Sequence, residues 1–153
     1  MQKYELTEES IEYMGRTLFR IRATTDFVTG DIRRVWDGNL GGYVESENNL
    51  TQKGRAWISD NAKVYGEAQI SGNARIKDDA EVSGKAQVSG NAKIYGKAHV
   101  SGNAVIKGNA YVGGSAEVCG NAEINKNIKI ENGVIDNSDA VKIQKPLVKG
   151  RSL

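Results

Sequence analysis

Alanine recurs every six residues, at 56, 62, 68, 74, 80, 86, 92, 98, 104, 110, 116 and 122, without a slip. Two positions after each alanine stands Val or Ile, from Ile58, Val64 and Ile70 through to Val118 and Ile124. Side chains two apart share one face of a β-strand, so alanine and aliphatic point together while the residue between them points away. The three residues that follow are typically Ser or Tyr, then Gly, then Asn. That is turn chemistry, because Gly and Asn tolerate positive φ. Each hexad therefore reads as a short strand plus a corner. An α-helix is excluded, since the apolar spacing alternates instead of following a 3.6 period. A glycine in nearly every hexad would also cost about 1 kcal/mol each in a helix interior.

A strand this short cannot bury its face alone, so the units must coil and stack into a solenoid with one continuous apolar column inside. Hexads such as "VSGKAQ" and "VSGNAV" resemble those of the hexapeptide-repeat, or isoleucine-patch, proteins. The resemblance implies an all-β fold: a left-handed parallel β-helix, a triangular β-solenoid with three hexads, or 18 residues, per coil. The general preference for right-handed crossovers would suggest the other hand. The match is strong over residues 56–127, and Val44 and Leu50 continue the alanine register backwards, which gives nearly five coils.

The first 43 residues break the period and read as a small N-terminal β cap, with "TLFRIRA" alternating as a strand after the turn signal "YMGR". A cap is needed because a solenoid end exposes unpaired strand edges and an open apolar core. The division expected is a cap over 1–43, the repeat over 44–130 and a closing segment or basic tail over 131–153, where Lys142, Lys145, Lys149 and Arg151 lie. The stretch "YELTEESIEYMGRTLFRIRA", followed by "GNLGGYVESENNL" and "SGNA" hexads, also resembles a group of phage and prophage proteins labelled as acyltransferases.

Lys and Arg number 21 against 19 acids, a balance that argues against a strongly basic nucleic-acid binder. One cysteine, Cys119, cannot form an internal disulfide, and "MQKYELTEES" has neither the basic nor the apolar region of a secretory signal. A cytoplasmic location is expected, the host's cytoplasm if the gene is phage-borne. No apolar run approaches the roughly 20 residues that cross a bilayer, so no membrane partner is expected.

An 18-residue coil sorts the outward side chains into columns about 4.8 Å apart. The first face carries Trp57, Arg75, Lys93, Tyr111 and Lys129; the second Lys63, Glu81, His99 and Glu117; the third Gln69, Gln87, Val105 and Glu123. Asn73, Asn91, Asn109 and Asn127 stack at one corner and read as a structural amide ladder. The first face is the candidate binding site, because aromatic rings and cations on a rigid column offer stacking and anion contacts together. A protein partner or a phosphate-bearing ligand fits it; the near-neutral charge disfavours nucleic acid.

The chain's only histidine, His99, is the candidate general base if the chain is an acetyl coenzyme A-dependent acyltransferase, the activity that the family resemblance implies. Those enzymes build their sites with loops around the coils, and hexads run from 56 to 127 here without an insertion. The favoured reading is a non-catalytic binding protein with no cofactor and no metal. The phage-type resemblance implies an inhibitor or sequestering agent acting on a host defence component. The family also implies a homo-oligomer, a trimer being its usual form. The zinc sites of its carbonic-anhydrase branch need three histidines, and Cys119 has no CxxC or histidine partner nearby, so it reads as a structural thiol.

If the alanine column limits the coil interior, Ala86→Leu will overpack it and cost about 1 to 3 kcal/mol. Thermal unfolding beside the parent measures this, and an unchanged midpoint would refute the stacked interior.

Overall fold

The computed structural model describes residues 2–125 and 127–137. Two-residue strands begin at Trp57, Lys63, Gln69 and every sixth residue thereafter to Lys129. From Trp57 to Tyr111 each pairs in parallel with the strand 18 residues on, as Trp57 does with Arg75 and Glu81 with His99. The strands sort into three sheets, which carry the three expected columns. The chain is thus an all-β solenoid of about five stacked coils, with a single 3-10 turn, Glu47–Asn49, among the described residues.

Every repeat alanine and its aliphatic partner is buried, at 0 or 1 % exposure from Ala56 to Ile124. Alanine lets the chain turn towards the axis without filling it, and Val or Ile fills the space that remains. At the corners the positive φ falls on glycine, or on Asp60 (58°) and Asp78 (59°), and on no asparagine among the described residues. Gly84 shows why: its φ is +66°, and a Cβ there would lie 2.8 Å from the backbone nitrogen of Gly102 in the next coil. The asparagines serve the ladder instead. Asn73 Nδ2 donates to Asn91 Oδ1 and Asn91 Nδ2 to Asn109 Oδ1, each at 3.2 Å. Asn103 repeats the device on Asn121 at 3.3 Å.

Two expectations need correction. Val44 and Leu50 do belong to the solenoid, but they pair with Val64 and Ile70 and so stand in the aliphatic register, not the alanine one. Leu50 is eight residues before Ile58 where a hexad would allow six, so two extra residues between them shift the register. The rungs also continue past residue 130. Val134–Ile135 pairs with Glu117–Val118, 17 residues back, because the corner after Ile130 is one residue short. Lys142, Lys145, Lys149 and Arg151 lie outside the described residues.

The N-terminal segment forms β1 (Tyr4–Tyr13) and β2 (Arg16–Ala23), an antiparallel hairpin. Its turn residues, Met14 and Gly15, have φ of 53° and 75°. β3 (Phe27–Val28) and β4 (Arg34–Val35) make a second small hairpin. β5 (Leu40–Val44) pairs antiparallel with β2 on one side and parallel with Lys63–Val64 on the other. The first hairpin therefore extends the second-face sheet. The cap also supplies donors to the upward carbonyls of the first full coil, which have no preceding coil to bond. Lys3 Nζ donates to the Ala56 carbonyl at 2.7 Å and the Gly54 carbonyl at 3.4 Å. Arg20 Nη1 reaches Asp60 O at 3.1 Å, and Asn49 Nδ2 reaches Ala68 O at 2.8 Å and Gly66 O at 3.2 Å. Backbone N–H groups of Tyr43, Glu45 and Thr51 serve Ala62, Val64 and Ile70.

Lys3 is 4 % exposed, and burial pushes its ammonium down to about 8 from 10.5. Between those values the unfolded chain binds more protons than the folded one, so this group adds stability as pH rises. The stability of the parent relative to Lys3→Met should be level below pH 8 and climb between about 8 and 10.5. Urea unfolding of both proteins across that range tests it, and a flat difference would show that the carbonyl contacts cancel the effect of burial.

Candidate functional site

The first-face column forms as a five-stranded sheet that carries Trp57, Arg75, Lys93, Tyr111 and Lys129 in successive rungs. Its first two members are covered. Trp57 is 2 % exposed, met edge-on by Phe27 at 5.2 Å and Tyr4 at 6.4 Å between ring centroids. Arg75 is 8 % exposed. Its Nη1 donates to both carboxylate oxygens of Asp31, at 3.1 and 3.0 Å, and its Nη2 to Ser59 Oγ at 3.1 Å. The open part of the face is thus Lys93, Tyr111 and Lys129. Trp57 acts as an anchor for the cap and offers no ring to a ligand.

The cover is the turn between β3 and β4. Thr29 N donates to Arg33 O at 2.8 Å and Ile32 N to Thr29 O at 3.0 Å. Gly30 lies so close to the solenoid that a Cβ would stand 2.3 Å from the Asn73 carbonyl oxygen, so only glycine lets the turn settle there. The turn delivers Asp31, whose Oδ1 accepts from the Thr29 hydroxyl at 2.6 Å and whose Oδ2 lies 3.4 Å from Lys93 Nζ. Burial works against the charge on Asp31, but the Thr29 hydroxyl, Arg75 and Lys93 outweigh it and hold the carboxyl below its ordinary range. Asp31 is the site residue that the sequence reading missed. "TGD" announces a turn, but no local signal says where that turn lands.

Below Asp31 runs a groove of about 400 Å3, with Arg75, Lys93, Tyr111 and Lys129 along its floor and the asparagine ladder along one wall. Tyr111 is 39 % exposed, with Lys93 Nζ 5.5 Å from its ring centroid. Across this ridge a smaller groove of about 180 Å3 adds Lys77 and Tyr95. Tyr95 lies over Gly113, where a Cβ would be 2.2 Å from its ring. From there it meets Tyr111 edge-on at 6.5 Å and donates to Glu131 Oε2 at 3.1 Å. Burial first, and then the Glu131 carboxylate, push the Tyr95 phenol up to about 12. Lys129 shares Glu131 at 3.5 Å.

His99 stands on a different face and lines neither groove. Its side chain is 54 % exposed, and its Nδ1 lies 3.9 Å from Glu81 Oε1. Glu81 is already engaged by the hydroxyls of Tyr13 and Tyr65. The hydrogen bond to Glu81 raises the Tyr13 phenol, and for Tyr65 burial leads and the same carboxylate adds to it. This cluster ties the first hairpin to the second face. Among the described residues no group of His, Cys, Asp and Glu side chains could hold a metal ion, and no helix is long and apolar enough to cross a membrane. Cys119 is a partly buried free thiol.

The family model described as YdcK Beta solenoid repeat matches residues 68–84 and 86–102. The chain is a β-solenoid repeat protein. The two matched stretches lie within the coils that present Arg75, Lys77, Lys93 and Tyr95. A comparison with curated proteins gave no match.

The buried and open halves of the column should separate on mutation. Trp57→Ala should cost about 3 to 5 kcal/mol, as for a large aromatic removed from a core, whereas Tyr111→Ala should stay within about 1 kcal/mol. Chemical denaturation of the two variants measures both, and equal losses would refute the division.

Proposed function

We propose that this chain is a non-catalytic binding protein that holds an anionic ligand on the first face of its solenoid. The observation that carries the reading is Asp31, a carboxylate gripped by Arg75 and Lys93 at the head of a groove where Tyr111 and Lys129 continue the same chemistry. The groove is within the roughly 300 to 1,000 Å3 of ordinary ligand sites, and the stacked coils fix the backbone spacing of its cations, so no loop has to be ordered on binding. An oxyanion, either a phosphate group or the acidic side chains of a partner protein, is the chemistry that fits. A sequestering or inhibitory role suits such a surface, because its cations can hold an anion without any covalent step. The acyltransferase alternative depends on His99, which stands away from the groove.

Calorimetric titration with tripolyphosphate should give saturable binding that weakens as salt screens it. Lys93→Glu should reduce the affinity at least tenfold, and Lys63→Glu on the second face should leave it unchanged. Equal losses for the two variants would reduce the face to a generic charged surface. Acetyl transfer from acetyl coenzyme A that disappears in His99→Ala would overturn the non-catalytic reading.

A further inference from the structure

Resting on the reading of the first face as an anion site, we propose that Asp31 is an internal stand-in for the ligand's phosphate. The ligand is then a mononucleotide whose phosphate replaces Asp31 at Arg75 and Lys93 and whose ring lies on Tyr111.

Three observations support the exchange. The first is charge. Arg75 and Lys93 bring two positive charges to one carboxylate, and a phosphate monoester carries about −1.5 to −2 at neutral pH, so it neutralises the pair more fully than Asp31 does. The second is the number of acceptors. Asp31 spends both carboxylate oxygens on Nη1 of Arg75, at 3.1 and 3.0 Å, with Oδ2 also 3.4 Å from Lys93 Nζ. A phosphate in its place can keep one oxygen on Nη1 and another on Lys93 and still has a further oxygen to accept from the groove. The third is the turn that carries Asp31. Ile32 is held at φ +64°, the left-handed region that a β-branched residue avoids, and is 75 % exposed. Asp31's ion pairs hold a strained turn in place, and their replacement lets it relax.

Tyr111 selects the rest of the ligand. It occupies the rung next to Lys93, about 4.8 Å further along the face, and its ring is 39 % exposed. Lys129 follows one rung on. A phosphate held at the head of the groove therefore leaves a planar ring to settle on Tyr111. An inorganic anion or an aliphatic carboxylate would leave that ring unused.

The test is calorimetry of the full chain with AMP, inorganic phosphate and adenosine, repeated on Asp31→Asn and Tyr111→Ala. AMP should bind more tightly than either fragment. Asp31→Asn should tighten AMP three- to tenfold, and Tyr111→Ala should weaken AMP at least fivefold while leaving phosphate unchanged. In the parent, AMP should shift the amide resonances of Gly30 and Ile32. Thermal melts monitor folding, and Asp31→Ser replaces Asp31→Asn if the amide destabilises the turn. Unchanged or weaker AMP binding without the Asp31 charge would overturn the stand-in. Phosphate that binds through Lys93 as well as AMP does would overturn the mononucleotide while leaving the anion-binding face intact. Failure of every anion at millimolar concentration would remove both.

Discussion

Parallel pairing between residues 18 apart governs this molecule. Each repeat strand holds only two residues, far too few to be stable as an isolated pair. Stability comes from repetition, since each coil meets the backbone groups and apolar faces of its neighbours and little else. The interior is correspondingly uniform, with alanine and one aliphatic per corner. The same pairing fixes the surface: because outward residues also repeat at 18, whatever occupies one rung stands directly beside its counterpart on the next. Chemistry on this protein therefore comes in columns.

That dependence makes the first coil the weak point, and the N-terminal segment is built around it. An ammonium, a guanidinium and a carboxamide from Lys3, Arg20 and Asn49 take the place of the backbone donors that a preceding coil would have supplied. Placing Lys3 in an apolar setting carries a desolvation cost, visible as its depressed pKa, but leaving those carbonyls without donors would cost about 1 to 3 kcal/mol for each buried group. The aromatic seam of Tyr4, Phe27 and Trp57 then excludes water from the same junction.

What could be read from the sequence was what repeats. The three columns, the inward alanines and the ladder through Asn73, Asn91 and Asn109 all follow from a period that no substitution interrupts. Where the period fails, reading along the chain fails with it. Val44 and Leu50 are aliphatic and six residues apart, which suits either inward column, and only the spatial partners Val64 and Ile70 show which one they occupy. Trp57 and Arg75 have outward positions in the register and are buried all the same, because Phe27 and Tyr4 cover the first and the turn that carries Asp31 covers the second. Asp31 could be recognised as a turn residue, but its contact with Arg75 spans 44 residues of chain. Such long-range contacts leave no periodic trace.

The two extra residues between Leu50 and Ile58 bear on how the chain finds its own alignment. A run of near-identical hexads is almost degenerate: sliding one stretch by a whole coil would preserve every alanine and aliphatic contact and sacrifice only the ends. The eight-residue step occurs once among the described rungs, and the ring seat at Trp57 lies immediately beside it. A slipped alignment would have to place the step against an ordinary corner and set Phe27 and Tyr4 against a cation instead of an indole. The irregular junction thus acts as a phase mark, and coils that nucleate on it can propagate towards the C-terminus in only one frame.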